Sequence, residues 1–329
     1  MQLLIIGGSR FMGYAATEYA VSRGHKVTLF NRGQSNPKAF TSVEHLTGDR
    51  ETGLDALKGR QWDAVLDTCG YYPRIVKLST DLLKPNVGHY TFISSVSVYE
   101  EKPDGGPDES SEVQTLKDPT VETINGETYG GLKVLCEKVI QDAFGDEALI
   151  VRPGLIVGPR DPTFRFNYLV KRMAHGGEVL VPGLPDSPVQ FIDGRDLGEW
   201  IVRQIEAKTA GVFNATGPAK HLSMGEFLQE CQQVFQNDSS LTWVDEPFLA
   251  DHGITLWAEI PLCLPADEQY FQAAHIDKAL SAGLTFRPLA DTLKASHAWL
   301  ASHPAANDPQ GTLTLEREGE LLRDWHTKK

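Results

Sequence analysis

The chain has 329 residues, of which 41% are apolar and 23% are charged, as in an ordinary soluble globular protein. No apolar run approaches the roughly 20 residues that cross a bilayer, and the N-terminus lacks the basic region of a signal peptide. We therefore expect a cytoplasmic protein that does not enter a membrane. The formal net charge of −13 argues against a nucleic acid partner, although a small anionic ligand is compatible with it. Four cysteines without C-x-x-C spacing predict neither a metal site nor a disulfide framework.

The first element that carries chemistry is a glycine-rich turn. The apolar run 3–6 leads into it, a helix is predicted over 14–22, and a second strand is predicted over 26–31. Such a strand–helix–strand unit is the context that a dinucleotide-binding turn requires, with the phosphates at the helix N-terminus. The residues expected to contact the cofactor here are Gly7, Ser9, Arg10, Phe11, Met12 and Gly13. Arg10 stands where the pattern G-x-x-G-x-x-G has its middle glycine.

The end of the second strand indicates which cofactor is bound. NAD-specific proteins carry an acidic residue there for the ribose 2′-hydroxyl, whereas this chain has Asn31 and Arg32. Arg32 could pair with a 2′-phosphate, and Arg10 could reach the same region. NADP(H) is therefore favoured over NAD(H), the alternative being that Arg32 is a solvated loop charge.

Strands are also predicted near 43–47, 64–67, 89–94 and 148–152, alternating with helices. This alternation predicts an α/β fold with a Rossmann doubly wound parallel sheet, whose ligands lie at the carboxyl ends of the strands. The residues expected to contact the cofactor at these ends are Asp49, Arg50, Thr68, Cys69, Gly70 and Ser94. Asp49 could bind the adenine amino group or could equally cap the next short helix.

Tyr129 and Lys133 are the candidate proton-transfer pair. They lie four residues apart, on one face of a helix predicted to continue to Phe144. An ammonium beside a phenol would lower the phenol pKa from its usual ~10, which would make Tyr129 a general acid/base. A hydroxyl from Ser95 could hold the same substrate oxygen. By itself the Tyr-x-x-x-Lys spacing also occurs by chance on helix surfaces.

Together these features resemble the extended short-chain dehydrogenase/reductase family, also called the NAD-dependent epimerase/dehydratase family. The resemblance rests on the stretches 7–13, 48–50, 92–99, 129–133 and 152–159, and covers about residues 1–300. It implies a Ser95–Tyr129–Lys133 triad, in which Tyr129 exchanges a proton with the substrate as hydride moves to or from the nicotinamide. It also implies that Tyr129 and Lys133 contact the cofactor, and that Pro153 and Gly154 pack near the nicotinamide.

Two departures from the family pattern matter. Dehydratases of the family usually carry an acidic pair after the catalytic Ser or Thr, whereas Val96 and Ser97 stand here, so dehydration is not expected. The Arg10 turn resembles an atypical subgroup that includes chloroplast stem-loop RNA-binding proteins, with NADP-sensing transcriptional regulators as further relatives. Those relatives show that the fold can lose catalysis, but Tyr129 and Lys133 favour retained activity.

The second half is predicted to form a smaller, interleaved substrate domain. We assign 1–160 to the cofactor domain, 161–300 mainly to the substrate domain, and 301–329 to a tail, with segments near 189–215 returning to the first domain. A helix over 164–176 mixes aromatic and basic residues, so Arg165 could bind the diphosphate of a sugar nucleotide or belong to a cationic outer face. Arg195-Asp196 is predicted to form an ion pair where a helix begins. Aromatic residues over 248–271, such as Trp257, could close over a substrate or pack in the core.

The sequence therefore predicts an NAD(P)-dependent oxidoreductase or epimerase acting on a hydroxyl or keto group of a sugar or nucleotide sugar. Ser95, Ser97, Tyr129 and Arg165 are the expected substrate contacts. The alternative is a non-catalytic NADP-binding sensor or an RNA-associated protein. The family habit also suggests a homodimer through the helices near 73–84 and 128–144.

Overall fold

The structure is a computed structural model that describes residues 1–100, 105–303 and 311–328. Its strands are β1 (Gln2–Ile6), β2 (Lys26–Asn31), β3 (Glu44–Thr47), β4 (Ala64–Asp67), β5 (Tyr90–Ile93), β6 (Ala148–Pro153), β7 (Leu155–Val157), β8 (Glu178–Pro182), β9 (Phe191–Asp193), β10 (Gly211–Ala215) and β11 (Ser240–Val244). Its helices are α1 (Phe11–Ser22), α2 (Pro73–Leu83), α3 (Tyr129–Phe144), α4 (Arg165–His175), α5 (Gly194–Glu206), α6 (Met224–Phe235), α7 (Glu246–Asp251), α8 (Asp277–Ser281), α9 (Leu289–Ser302) and α10 (Leu315–Lys328).

Seven strands form one parallel sheet in the order β10-β6-β5-β4-β1-β2-β3. Residues 3–6 of β1 are all apolar because both faces of this sheet are covered. Leu3 and Ile5 pack with residues of α1 and α5, whereas Leu4 and Ile6 pack with residues of α2 and α3. The predicted Rossmann sheet is confirmed.

The chain leaves this sheet after β6 and returns to it twice. The segment from β9 through α5 to β10 adds the last strand, with Trp200 of α5 fully buried beneath the sheet. Residues 277–284 then cover β10: Ala279 and Leu284 join the same core, and the Ala282 carbonyl accepts a hydrogen bond from the Trp200 indole. The nucleotide-binding half is therefore completed by residues far along the chain.

A second core lies between α4, α6, α9 and the two-stranded parallel sheet β11-β8. The C-terminal tail is part of this core, since α10 buries Leu321 and Leu322 in it. The sequence alone did not predict this contribution. Helix α6 begins with a capping box, in which the side chains of Ser223 and Glu226 accept each other's backbone N–H groups.

The predicted Arg195–Asp196 ion pair is wrong. Asp193 caps α5 and its Oδ2 lies 2.6 Å from Arg195 Nη2, whereas Asp196 Oδ1 lies 2.7 Å from Arg287 Nε. Adjacent residues of a helix point to different sides, so each residue of the predicted pair bonds a different partner. Helices α2 and α3 pack side by side, and a homodimer through them stays a prediction.

Packing between α1 and α5 gives the first test. A Cβ added at Gly198 would lie 2.7 Å from Ala16 N, a backbone atom that cannot yield without moving α1. We expect Gly198→Ala to lower the free energy of unfolding by about 1–3 kcal/mol, as overpacked cores do, in urea denaturation. Gly319→Ala in α10 is the matched control: its Cβ meets only the flexible end of Arg323 at 3.6 Å, so it should stabilise by about 0.5–1 kcal/mol. Equal effects of the two substitutions would contradict the close helix contact.

Candidate active site

A cavity of 1110 Å³ opens at the carboxyl ends of strands β1 to β6 and extends to the second core. It brings together predicted site residues from eight separate stretches of the sequence. The predicted site residues that line it are Gly7, Ser9, Arg10, Phe11, Met12, Gly13, Asn31, Arg32, Asp49, Arg50, Thr68, Cys69, Ser94, Ser95, Ser97, Tyr129, Lys133, Pro153, Gly154 and Arg165. Gly70 does not line the cavity; its carbonyl instead accepts a hydrogen bond from Lys133.

The glycine turn presents the N-terminus of α1 to this cavity. Gly7 has φ +101°, and a Cβ there would lie 2.2 Å from Thr68 Oγ1, so only glycine fits at this position. The helix begins without a side-chain cap and without an acidic residue in its first turn. Its first N–H groups and its dipole are thus available for an anion, which is the geometry that a pyrophosphate requires.

The end of β2 carries cationic rather than acidic side chains. Asn31 is occupied with the backbone, donating to the Gly7 carbonyl at 3.0 Å and accepting from Gly33 N at 2.9 Å. Arg10 and Arg32 are exposed at the cavity wall, and within the described part of the chain neither has an acidic partner. Asp49 accepts the Glu51 N–H at 2.8 Å in a local turn, and its side chain also faces the cavity.

Arg50 has a protein partner that the sequence did not reveal. Its guanidinium makes two hydrogen bonds to the fully buried Asp67 at the end of β4, of 2.9 and 2.8 Å, and a third to Ser79. Asp67 also accepts from the Tyr90 hydroxyl and the Cys69 N–H. Burial would raise the pKa of Asp67, but the adjacent Arg50 outweighs this and lowers it. Arg50 therefore fixes the cavity floor.

The serines after β5 form a short hydrogen-bonded turn. Ser95 Oγ accepts the Ser97 N–H and donates to Ser97 Oγ, both at 3.1 Å, and both hydroxyls face the cavity. The start of α3 approaches this turn closely, since a Cβ on Gly130 would lie 2.0 Å from the Ser97 carbonyl oxygen. The glycine that follows Tyr129 thus lets the tyrosine reach the serine turn.

Lys133 is buried below Tyr129 and is held by backbone oxygens. Its ammonium donates to the carbonyls of Gly70 at 2.7 Å and Ile93 at 2.6 Å. Gly70 lies three residues after β4, and Ile93 is the last residue of β5. Burial lowers the pKa of Lys133 to about 8. It also raises the pKa of the Cys69 thiol to about 11, so that this cavity cysteine is neutral near neutral pH.

The expected depression of the Tyr129 pKa is not what this geometry gives. Burial raises the pKa of Tyr129, and the nearby Ser95 hydroxyl is the main influence that opposes this. Lys133 directs its ammonium at the two backbone carbonyls rather than at the phenol. Tyr129 is therefore a phenol near neutral pH.

A buried polar network next to α3, the helix of Tyr129 and Lys133, was also missed by sequence reasoning. Arg152, at the end of β6, bonds both oxygens of Glu137 at 3.0 and 2.6 Å and the Tyr99 hydroxyl at 2.9 Å. That hydroxyl donates to Asn214 of β10 at 2.6 Å. Glu137 lies one turn after Lys133 on α3, a spacing that could have suggested a charged partner inside the fold.

The far end of the cavity is formed by the second half of the chain. The Arg165 guanidinium stacks on the Trp257 ring at 5.0 Å from its centroid, and Phe271 lies on the same wall. Gln190 and Gln272 form the back wall and satisfy their amides internally, with Gln190 N donating to Gln272 Oε1 at 3.0 Å. The free polar groups at this end therefore include the Arg165 cation and the serine and tyrosine hydroxyls.

One cavity is lined by the glycine turn and by Tyr129 and Lys133, at the carboxyl ends of a parallel sheet. This arrangement defines a Rossmann-type dinucleotide-binding protein. The sequence model of the NAD dependent epimerase/dehydratase family matches residues 3–216. The chain belongs to this family, and the resemblance found in the sequence is confirmed.

Individual relatives are distant. The chain is 25% identical over 252 residues to the chloroplast stem-loop binding protein of 41 kDa b from Arabidopsis thaliana, covering 71% of this chain and 63% of that protein. It thus spans less than two thirds of that relative's length.

Solved structures share the fold. The UDP-glucuronic acid 4-epimerase from Bacillus cereus, in complex with NAD, has a TM-score of 0.66 at 17% identity over 95% of this chain and 100% of that one. The UDP-N-acetylglucosamine 4-epimerase from the same organism has a TM-score of 0.67 at 14% identity over 92% and 96% of the two chains. WbmH from Bordetella bronchiseptica, in complex with NAD+, has a TM-score of 0.67 at 15% identity over 92% and 98%.

Neither a membrane-spanning helix nor a metal-binding cluster is found in the described residues. In the described residues, no helix combines the length and apolar character that a bilayer crossing needs. Within 1–100, 105–303 and 311–328, no group of three or more His, Cys, Asp or Glu side chains could hold a metal ion.

Asp67 gives a test of the cavity floor. Asp67→Asn leaves the Arg50 charge, whose side chain is only 11% exposed, without its counterion, and we expect a loss of about 3–5 kcal/mol in the free energy of unfolding at neutral pH. Because the folded-state pKa of Asp67 lies below its usual 3.8, this stabilisation is complete above that value and is lost as pH falls through the folded pKa. Urea denaturation from neutral to acidic pH measures the difference.

The matched control is Asp81→Asn, which removes the exposed Lys77–Asp81 pair of α2. It should leave the free energy of unfolding almost unchanged at every pH. A difference between wild type and Asp67→Asn that stays constant below pH 3.8 would contradict the role of the Asp67 charge.

Proposed function

We propose that the protein is an NAD(P)-dependent oxidoreductase or epimerase that acts on a hydroxyl or keto group of a nucleotide sugar. The observation that supports this most is the convergence of Ser95, Tyr129 and Lys133 on the cavity that also holds the glycine turn. These residues come from β5 and α3, which are adjacent only in the folded protein.

Each residue of the triad has a role that its contacts support. Tyr129 is the general acid/base: as a phenol it gives a proton to a carbonyl oxygen, and as a phenolate it takes one from an alcohol. Ser95 holds the same substrate oxygen in line with Tyr129. Lys133 is fixed by two backbone carbonyls at the cavity wall, and its cation is proposed to hold the ribose of the nicotinamide rather than to change the pKa of Tyr129.

The residues present fit a nicotinamide dinucleotide. The uncapped α1 N-terminus and the space that a Cβ at Gly7 would fill suit the pyrophosphate. Ser94 presents a buried hydroxyl without a protein partner at the cavity wall. When bound, the nicotinamide supplies the acceptor or donor of hydride. Pro153 and Gly154 line the cavity at the end of β6 and are proposed to limit where the nicotinamide rests.

NADP(H) is proposed as the preferred cofactor. The Asn31 amide is used by the backbone, and no carboxylate replaces it at the end of β2. The exposed Arg10 and Arg32 are both placed to meet an additional phosphate.

A nucleotide sugar is proposed because the far end combines one free cation with aromatic rings. Arg165 would bind a phosphate, and Trp257 and Phe271 offer flat apolar surfaces for a base or sugar. Ser97 lies within reach of the same substrate through its contact with Ser95. The solved 4-epimerases of similar fold act on UDP-sugars. Val96 and Ser97, in place of an acidic pair, speak against dehydration.

RNA binding is the second candidate, because the Arabidopsis relative is a stem-loop binding protein. The charge of −13 opposes it. Salt-dependent binding of a stem-loop RNA at neutral pH, with no cofactor bound, would favour this candidate over the enzyme.

Removal of the Tyr129 hydroxyl tests the catalytic proposal. Tyr129→Phe should lower the rate of hydride transfer from a UDP-sugar to bound cofactor by about 10²–10⁴, the usual contribution of general acid/base catalysis. Absorbance of the reduced nicotinamide measures the rate, with UDP-glucose, UDP-glucuronic acid and UDP-N-acetylglucosamine as probes. Cofactor affinity should be nearly unchanged. Tyr19→Phe in α1 is the control, and full activity in Tyr129→Phe would overturn the assignment.

Arg32 tests the cofactor preference. Arg32→Ala should weaken NADPH binding by roughly 10- to 100-fold, because a charge-assisted contact to phosphate is lost, and should leave NADH binding almost unchanged. Titration of protein fluorescence with each cofactor gives the two dissociation constants. Arg23→Ala, which removes an exposed cation at the other end of α1, is the control. Equal weakening of NADPH and NADH would contradict a 2′-phosphate site at Arg32.

A further inference from the structure

We propose that the C-terminal segment 313–318 positions the substrate end of the cavity. Through two separate sets of contacts it holds α4, which carries Arg165, and the segment 252–263, which carries Trp257. Glu318 and Arg317 are thus positioning residues that act through the Arg165–Trp257 pair. The identity of the ligand that this pair binds rests on the proposed function, whereas the positioning role does not.

The first set of contacts fixes α4. Glu318 Oε2 accepts from Arg172 Nε at 2.6 Å, and both side chains are buried. The other oxygen, Oε1, accepts the Leu180 N–H of β8 at 2.9 Å. Arg172 lies two turns after Arg165 on the same helix. Breaking an ion pair that is this well enclosed leaves an uncompensated buried charge, which costs free energy. The pair therefore holds α4 firmly against the tail.

The second set of contacts fixes the segment around Trp257. Leu313 N donates to the Glu259 carbonyl at 2.8 Å, and Arg317 Nη2 donates to the His252 carbonyl at 3.1 Å. The two bonds lie on either side of Trp257 in the sequence. The segment is thus held at both ends by the same short stretch of tail.

Trp257 needs such support because of its backbone conformation. Its φ of +63° is in the left-handed region, which costs a large side chain free energy and persists only where the surroundings enforce it. Within the segment, Trp257 N bonds the Cys263 carbonyl at 2.9 Å and Thr255 N bonds Glu259 Oε2 at 2.6 Å. Glu259 therefore links the local turn to the tail.

The two supported elements meet at the cavity as well as in the second core. Arg165 and Trp257 are in cation–π contact at 5.0 Å, and both line the cavity. In the described part of the chain no carboxylate forms an ion pair with the Arg165 guanidinium, although its charge acts on the nearby Asp161. The ring of Trp257 helps to orient the guanidinium, so a shift of either element changes how the cation faces the substrate.

Hydrogen–deuterium exchange of the full-length protein tests the proposal without a known substrate. In Arg317→Met, peptides covering 252–263 should exchange roughly five-fold faster, the factor that the loss of about 1 kcal/mol of hydrogen bonding gives. In Glu318→Gln, peptides at the start of α4 should also exchange faster. Arg323→Met, the same substitution on the exposed face of α10, is the matched control and should change neither region.

A binding measurement separates positioning from a general loss of stability. Both variants should bind UDP several-fold more weakly than wild type and bind NADPH with unchanged affinity. The proposal is overturned if faster exchange is confined to α10, or if peptides of β1 and α1 exchange faster to the same extent. Arg317→Met alone decides the matter if Glu318→Gln does not fold. Absence of cofactor binding or UDP binding in wild type would reject the proposed function and leave the exchange result standing.

Discussion

The buried guanidinium of Arg152 joins the elements that carry the residues of the candidate active site, Ser95, Tyr129 and Lys133. It binds Glu137 of α3 and the Tyr99 hydroxyl, and Tyr99 in turn reaches Asn214 of β10. In an interior of low dielectric such a charge is tolerated only when all its partners are in place. The register of α3 against the serine turn, and of β6 against β10, is therefore set by one network. The spacing of Tyr129 from Ser95 follows from it, although neither residue belongs to it.

Much of the nucleotide-binding half could be predicted from the sequence because its signals are local. The turn around Gly7, the apolar strands and the spacing of Tyr129 and Lys133 are each readable within a few residues. Partners that are distant in sequence were not readable. Arg50 and Asp67 follow different strands, and Asp196 meets Arg287 from a later segment. The role of the tail could not be predicted from its own sequence because its contacts are with Arg172 and the segment 252–263. Only folding brings these residues next to the tail.

The distribution of charge in the cavity runs against that of the whole protein. The chain carries a net charge of −13, yet Arg10, Arg32, Lys133 and Arg165 all line the cavity. Cations in a concave site with apolar walls focus their potential into it, so anionic ligands are drawn to a protein that otherwise repels them. The cations are spread along its length rather than clustered, which suits an extended ligand with phosphates at several points more than a single compact anion.

The late return of the chain to its first sheet has a consequence for synthesis. Residues 277–284 cover β10 and complete the core beneath Trp200, and Asn214 bonds the His275 carbonyl. During synthesis the N-terminus of a chain emerges from the ribosome first, and domains generally fold as units. When strands β1 to β6 have emerged, the first half therefore still lacks the part of its core that residues 277–284 supply. That core is complete only after most of the second half has been synthesised.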